Sequence, residues 1–305
     1  MYRYKKLMVC LNLDEHDRYL VKYAGFISKM AKSREVRFVY VSDTFDIPDE
    51  VKKVYPELTA PMEAAVEEKM AGVVGEHFRG HEDTRVTFKV LEGPLLSMLI
   101  ACTKDYDMDL LIVGHHHKDE TIDRYLSEKL ARKAFCSVLI IHGETNVYFD
   151  QVLVAVDFSK HALNALDVGS AFAKAGGLDT MHVLNTFKVP QGYYKTGKTY
   201  EEFADIMLNN NRSKLNEMLS EADLKSLHIK SHFKNIDNVV AGVQQLSEEI
   251  DAGLVVIGAR GRSGDISAIL LGSITEGLIR GLRRPLLAVK EKGEGLNILE
   301  ALTSE

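Results

Sequence analysis

Cysteine is scarce and scattered in this sequence. Cys10, Cys102 and Cys136 share no CxxC spacing and sit in apolar contexts, which argues against a disulfide framework and suits buried thiols in a reducing compartment. No apolar run reaches the roughly 18 to 20 residues of a membrane span. The N-terminal residues 1–6 lead straight into a strand-like run rather than a signal core, so the expected location is cytoplasmic. Positive charge is not in excess either. A formal net charge of -6 leaves no basic footprint, so neither nucleic acid nor an anionic membrane is an expected partner, and any phosphate must be bound locally.

What is present falls into two similar halves. At 305 residues the length suits two domains, each large enough for its own core. Apolar runs over 7–11, 36–41, 86–91, 109–114 and 138–141 read as strands, separated by helix-period segments over 20–30, 61–81, 95–102 and 122–134. The same rhythm returns with strands over 152–156, 181–184, 229–233, 254–257 and 286–289, and helices near 163–172, 200–219 and 237–249. Leu11-Asn12 registers on Val156-Asp157, Val113-Gly114 on Ile257-Gly258, and Ser127-Glu128 on Thr275-Glu276. The chain is therefore an internal duplication. We expect domains over 1–143 and 150–290 and a tail over 291–305. Alternating strands and helices imply an α/β fold, each half a five-stranded parallel sheet with helices on both faces. Ligands in such sheets sit beyond the carboxyl ends of the strands where strand order reverses, a point the first and fourth strands of each half should flank.

The most informative stretch runs from Val255 through Gly258, Arg260, Gly261, Arg262 and Gly264 to Gly272-Ser273. A buried strand stopping at a glycine cluster, with a helix-period segment after it, offers bare main chain and the positive end of a helix dipole. That combination describes an anion site, with phosphate the leading candidate. Asp157, at the end of the first strand of the same half, faces the glycine loop, while Ser159 suits the helix N-cap. Ser273 reads as an N-cap or a hydrogen-bond donor to phosphate rather than a nucleophile, because no base lies near it in sequence. Residues 45–59 and 187–199 follow the second strands, and serve either as lids or as surface excursions. The triplet His115 to His117 lacks further ligand spacing, so a metal site is not favoured there.

The run Val154-Ala155-Val156-Asp157-Phe158-Ser159, the pair His182-Val183 and the glycines leading to Gly272-Ser273 resemble the universal stress protein family in its tandem form. The resemblance covers nearly the whole chain and implies two Rossmann-like domains. In one branch of the family it also implies bound ATP or another adenine nucleotide without catalytic machinery, here in the second domain only, with Mg as the accompanying ion. By that likeness Asp157 would contact the nucleoside and the main chain near Val183 the adenine. Gly258, Gly261, Gly272 and Ser273 would surround ribose and phosphates, with Ala155 and Ile274 beside them. Residues 262–271 are one longer than the family pattern, and Arg260 and Arg262 would offset the charge that Asp265 brings. By the same resemblance the two fifth strands would pair into an intrachain pseudo-dimer, which a homodimer would double.

The first half departs from that pattern. Asn12 replaces Asp157, His115 to Lys118 follow Gly114 without a second glycine, and Arg124-Tyr125 stand in place of Gly272-Ser273. We expect it to keep the fold and to have lost nucleotide binding. The sequence has no Walker lysine motif and no carboxylate pair at acid–base spacing, so efficient turnover is not expected. The leading expectation is a stress-response protein that binds an adenine nucleotide. The alternatives are a nucleotide-free module for an apolar small molecule or protein partner, and a slow enzyme of adenine-nucleotide chemistry.

Overall fold

The computed structural model describes residues 3–42, 48–55, 62–115, 120–143, 147, 150–222, 224, 227–260 and 271–292. The chain forms two compact units, divided at Val147 and Tyr148, with the segment from Lys292 counted with the first. The first unit runs β1 (Lys6–Cys10), α1 (Asp17–Ala31), β2 (Glu35–Ser42), α2 (Asp49–Val54), α3 (Met62–His77), β3 (Arg85–Glu92), α4 (Leu95–Asp105), β4 (Leu110–His115), α5 (Glu120–Lys133) and β5 (Ser137–His142). The second runs β6 (Val152–Val156), α6 (Lys160–Ala175), β7 (Thr180–Phe187), α7 (Tyr200–Glu221), β8 (His228–Asn235), α8 (Val239–Glu249), β9 (Leu254–Gly258), α9 (Ser273–Gly281) and β10 (Leu286–Val289). A 3-10 turn over Gln191–Thr196 precedes α7.

Strand order is β3-β2-β1-β4-β5 in the first unit and β8-β7-β6-β9-β10 in the second. Every pairing within each unit is parallel. Order reverses between β1 and β4, and between β6 and β9, as expected for the first and fourth strands of each half. Leu7, Met8, Val9, Val154, Val255 and Val256 have no exposed surface. Burial on both faces is why these strands read as continuous apolar runs without alternation.

The duplication extends to strained backbone. Leu13 (φ 61) matches Phe158 (φ 63) just after the first strand, and Lys32 (φ 49) matches Gly177 (φ 77) after the first helix. Asp107 (φ 52) and Asp251 (φ 51) match before the fourth strand. A left-handed conformation costs an ordinary residue about 1–2 kcal/mol; at Lys32, Asp107, Gly177 and Asp251 local main-chain hydrogen bonds that close the preceding helix accompany it, so both units end these helices in the same way.

Local signals start the helices. Ser159 caps α6 by accepting the Ala162 N–H at 3.2 Å, and Asn238 caps α8 through the Ala241 N–H at 3.1 Å. At α7, Thr199 and Glu202 form a reciprocal capping box. The helix expected over 61–81 is shorter and ends at His77. There the chain turns across α1, where a Cβ on Gly25 would stand 2.7 Å from the Arg79 nitrogen. No helix among the described residues is long and apolar enough to cross a membrane.

Candidate functional site

At the carboxyl ends of β6 and β9 the second unit holds a cavity of about 290 Å³. Register explains its walls. Ala155 pairs with Leu184 on one side and Ile257 on the other, so the three side chains share a face and line the cavity together. Val239 and Val243, one turn apart on α8, close the apolar wall, and the first turn of α6 contributes Ala162. Asp157, Thr186, Arg260, Ser273 and Thr275 are its polar residues. Val183 pairs with Val154. The strand period turns its side chain to the opposite face, where it is fully buried.

The end of β6 is fixed by a buried amide relay. Asn185 donates from Nδ2 to the Val156 carbonyl at 3.0 Å, and Asn211 on α7 donates to Asn185 Oδ1 at 3.0 Å. Asp157 then accepts the Ser159 N–H at 3.0 Å. The side chain that caps α6 is therefore Ser159, and Asp157 is among the residues that line the cavity.

The glycine loop is pinned at both ends. Ala259 donates its N–H to Val289 at 2.9 Å and accepts that of Gly272 at 3.1 Å. The buried Thr275 hydroxyl donates to the Gly258 carbonyl at 3.2 Å. Gly258 is required by packing, because a Cβ there would lie 2.9 Å from the carbonyl carbon and oxygen of His161. Gly272 has φ -64 and ψ 138, open to any residue, and is itself the N-cap of α9, without a capping side chain. Ser273 is thus the first helical residue and not the N-cap, one of the two roles expected of it. Gly272, Ser273, Ile274 and Thr275 line the cavity, so the α9 N-terminus opens onto it.

Of the expected site residues, Ala155, Asp157, Gly258, Arg260, Gly272, Ser273 and Ile274 are brought together around this cavity, and Val183 is not among its lining. Gly261, Arg262, Gly264 and Asp265 lie outside the described residues, as do His116, His117, Lys118 and the tail beyond Lys292. Sequence reading missed Leu184 and Thr186, which alternation along β7 pairs on one face. It also missed Val239 and Val243, whose i, i+4 spacing shows a face but not what that face meets. No described residue of the 187–199 segment lines the cavity.

In the first unit the corresponding turn is held differently. Asp17, with no exposed surface, accepts the N–H groups of Asn12 at 3.0 Å and Leu13 at 2.8 Å. Burial pushes its carboxyl up to about 6, against the lowering effect of those two hydrogen bonds. His115 closes β4, buried beside its register partner His142 with ring centroids 4.8 Å apart. No cluster of three or more metal-ligating side chains occurs among the described residues.

A family model described as the universal stress protein family matches residues 3–142 and again 149–290. The chain belongs to the universal stress protein family. Two tandem copies of the family domain account for the two units. A universal stress protein of Methanocaldococcus jannaschii is 29% identical over 167 residues, covering 48% of this chain and 98% of that protein. The fold is shared along the full length with a functionally unknown protein of Pseudomonas aeruginosa, at TM-score 0.68 and 18% identity, covering 99% of this chain and 98% of that one. A universal stress protein of Archaeoglobus fulgidus matches at TM-score 0.65 and 19% identity, over 94% and 98% of the two chains.

Proposed function

We propose that the second unit binds an adenine nucleotide, ATP or a relative of it, and holds it without efficient turnover. The observation that carries this is the cavity of about 290 Å³ whose lining combines apolar side chains with polar groups and a helix start. An apolar sleeve from Ala155, Leu184, Val239, Val243 and Ile257 suits a flat base. Arg260 and the uncapped start of α9 suit negative oxygens. The Asp157 carboxylate would accept a hydrogen bond from a sugar hydroxyl. Among the described lining residues Asp157 is the lone carboxylate and no lysine occurs, which supports holding over hydrolysis. Magnesium would enter with the phosphates, where oxygen donors of the lining such as the Ser273 hydroxyl would hold it.

Calorimetry of the full chain with ATP, AMP and adenosine tests the reading, with Gly272→Trp as the obstructed variant. Equal affinity in the two proteins rejects the site. The apolar wall favours a second reading, a nucleotide-free site for an apolar small molecule. Native mass spectrometry that finds a lipid-like adduct, together with a flat ATP titration, would support that alternative.

A further inference from the structure

Asp17 and Ala162 hold the same place in the two units. The left-handed residues Leu13 and Phe158 precede them at equal spacing, and Lys32 and Gly177 follow them at equal spacing. No insertion therefore separates α1 from α6 between these points. In the second unit the residue is alanine, and it lines the cavity. In the first it is a carboxylate folded back onto the turn that follows the first strand, both oxygens accepting main-chain N–H groups there.

We infer that this one position decides whether the module can take a ligand: Asp17 is a built-in occupant of the first unit, and Ala162 leaves the matching space of the second unit open. The inference rests on the nucleotide reading for what enters the second unit, and on the first unit's geometry alone for the occupant. Two charge-assisted hydrogen bonds hold Asp17 against the turn rather than letting it swing to solvent. Replacing the Ala162 methyl by a carboxymethyl group places extra heavy atoms in the cavity floor, and a closely packed wall yields little to such an addition. The contrast also explains why the first unit tolerates Asn12, His115 and Arg124 where the second has Asp157, Ala259 and Gly272: a site filled from within has no ligand to accommodate.

Calorimetric titration of the full chain with ATP, AMP and adenosine tests the open side, using wild type, Ala162→Ser, Ala162→Asp and Ala162→Asn. We expect the serine variant to bind like wild type, and the aspartate and asparagine variants to bind about tenfold to a hundredfold more weakly while keeping their unfolding transitions. Unchanged affinity in both enlarged variants overturns the inference and leaves the nucleotide reading standing. Loss in the aspartate variant alone reduces the effect to charge and overturns the space-filling claim. A wild type that binds none of the three overturns the nucleotide reading instead. The occupant is tested separately by melting Asp17→Ala in sodium formate and in sodium chloride. Saturable recovery of stability in formate alone is expected, because formate can replace the lost oxygens; identical curves in the two salts overturn it. Should the alanine variant not fold, Asp17→Ser with the same salts gives the same two outcomes.

Discussion

Replacing Gly258 by alanine should damage the second unit through packing before any ligand is considered. The new Cβ would stand 2.9 Å from both the carbonyl carbon and the oxygen of His161 and 3.0 Å from its Cβ, where ordinary contact begins at 3.4 Å. Two of these three atoms are main chain, so no rotamer change relieves the overlap. The start of α6 must move away from the end of β9 by about 0.5 Å, at a cost of about 1–3 kcal/mol. Ala162 and Asp157 border that same junction, so nucleotide affinity should fall with stability. For a domain of this size the cost lowers the unfolding midpoint by about 2–12 °C. Differential scanning calorimetry of the full chain reads the second unit's transition, and Gly72→Ala is the control. Gly72 lies within α3 with nothing within 4 Å of its added Cβ, so alanine there should stabilise the first unit by about 0.5–1 kcal/mol. A second-unit midpoint unchanged by Gly258→Ala would refute the close-approach argument.

The two units should respond to acid in opposite directions. His182 Nδ1 and His232 Nε2 lie 3.0 Å apart. Burial, then the partner ring and Lys230, hold His182 below its ordinary 6.5, and burial, Lys234 and Lys230 do the same for His232 against Glu249. Their depressed values contribute stability that is present above 6.5 and lost as pH falls below it, because the unfolded chain takes up protons first. Asp17 is raised from 3.8 to about 6, so its contribution is present below 3.8 and lost as pH rises through about 6. Between pH 7 and 5 the second unit's midpoint should fall while Asp17 favours the first; Asp17→Asn should flatten the first unit's response, and an unaltered slope would contradict the assignment. Thr275→Val removes the buried hydroxyl bond to the Gly258 carbonyl at a cost of about 1–2 kcal/mol, and should weaken nucleotide binding by loosening the base of the glycine loop, as titration would report. Ser159→Ala removes the α6 cap and should cost about 1 kcal/mol by chemical denaturation.

The strands, the duplication and the switch points were legible because they depend on local and periodic signals. Runs such as Leu110 to Val113 and Leu254 to Ile257, each between helix-period segments, suit central parallel strands, and one crossover rhythm admits few topologies. Most of the candidate site was legible for the same reason. Asp157, Gly258, Gly272 and Ser273 lie at strand and helix ends, where a parallel fold always gathers its ligand face. The end of α3 was less legible, since the pattern through Phe78 remains helical, whereas the helix ends at His77 and Arg79 passes close to Gly25 of α1.

By itself, then, the sequence determined two α/β modules, their order of elements and the neighbourhood of the cavity in the second, because burial patterns and turn residues act over a few positions. Tertiary structure alone decided that the Leu184 side chain rather than that of Val183 faces the cavity, that α8 supplies its apolar wall, and that Asp17 folds back onto the turn after β1 while Ala162 lines a cavity. Those outcomes depend on register between strands and on which atoms meet across the fold, distances that no spacing along the chain encodes.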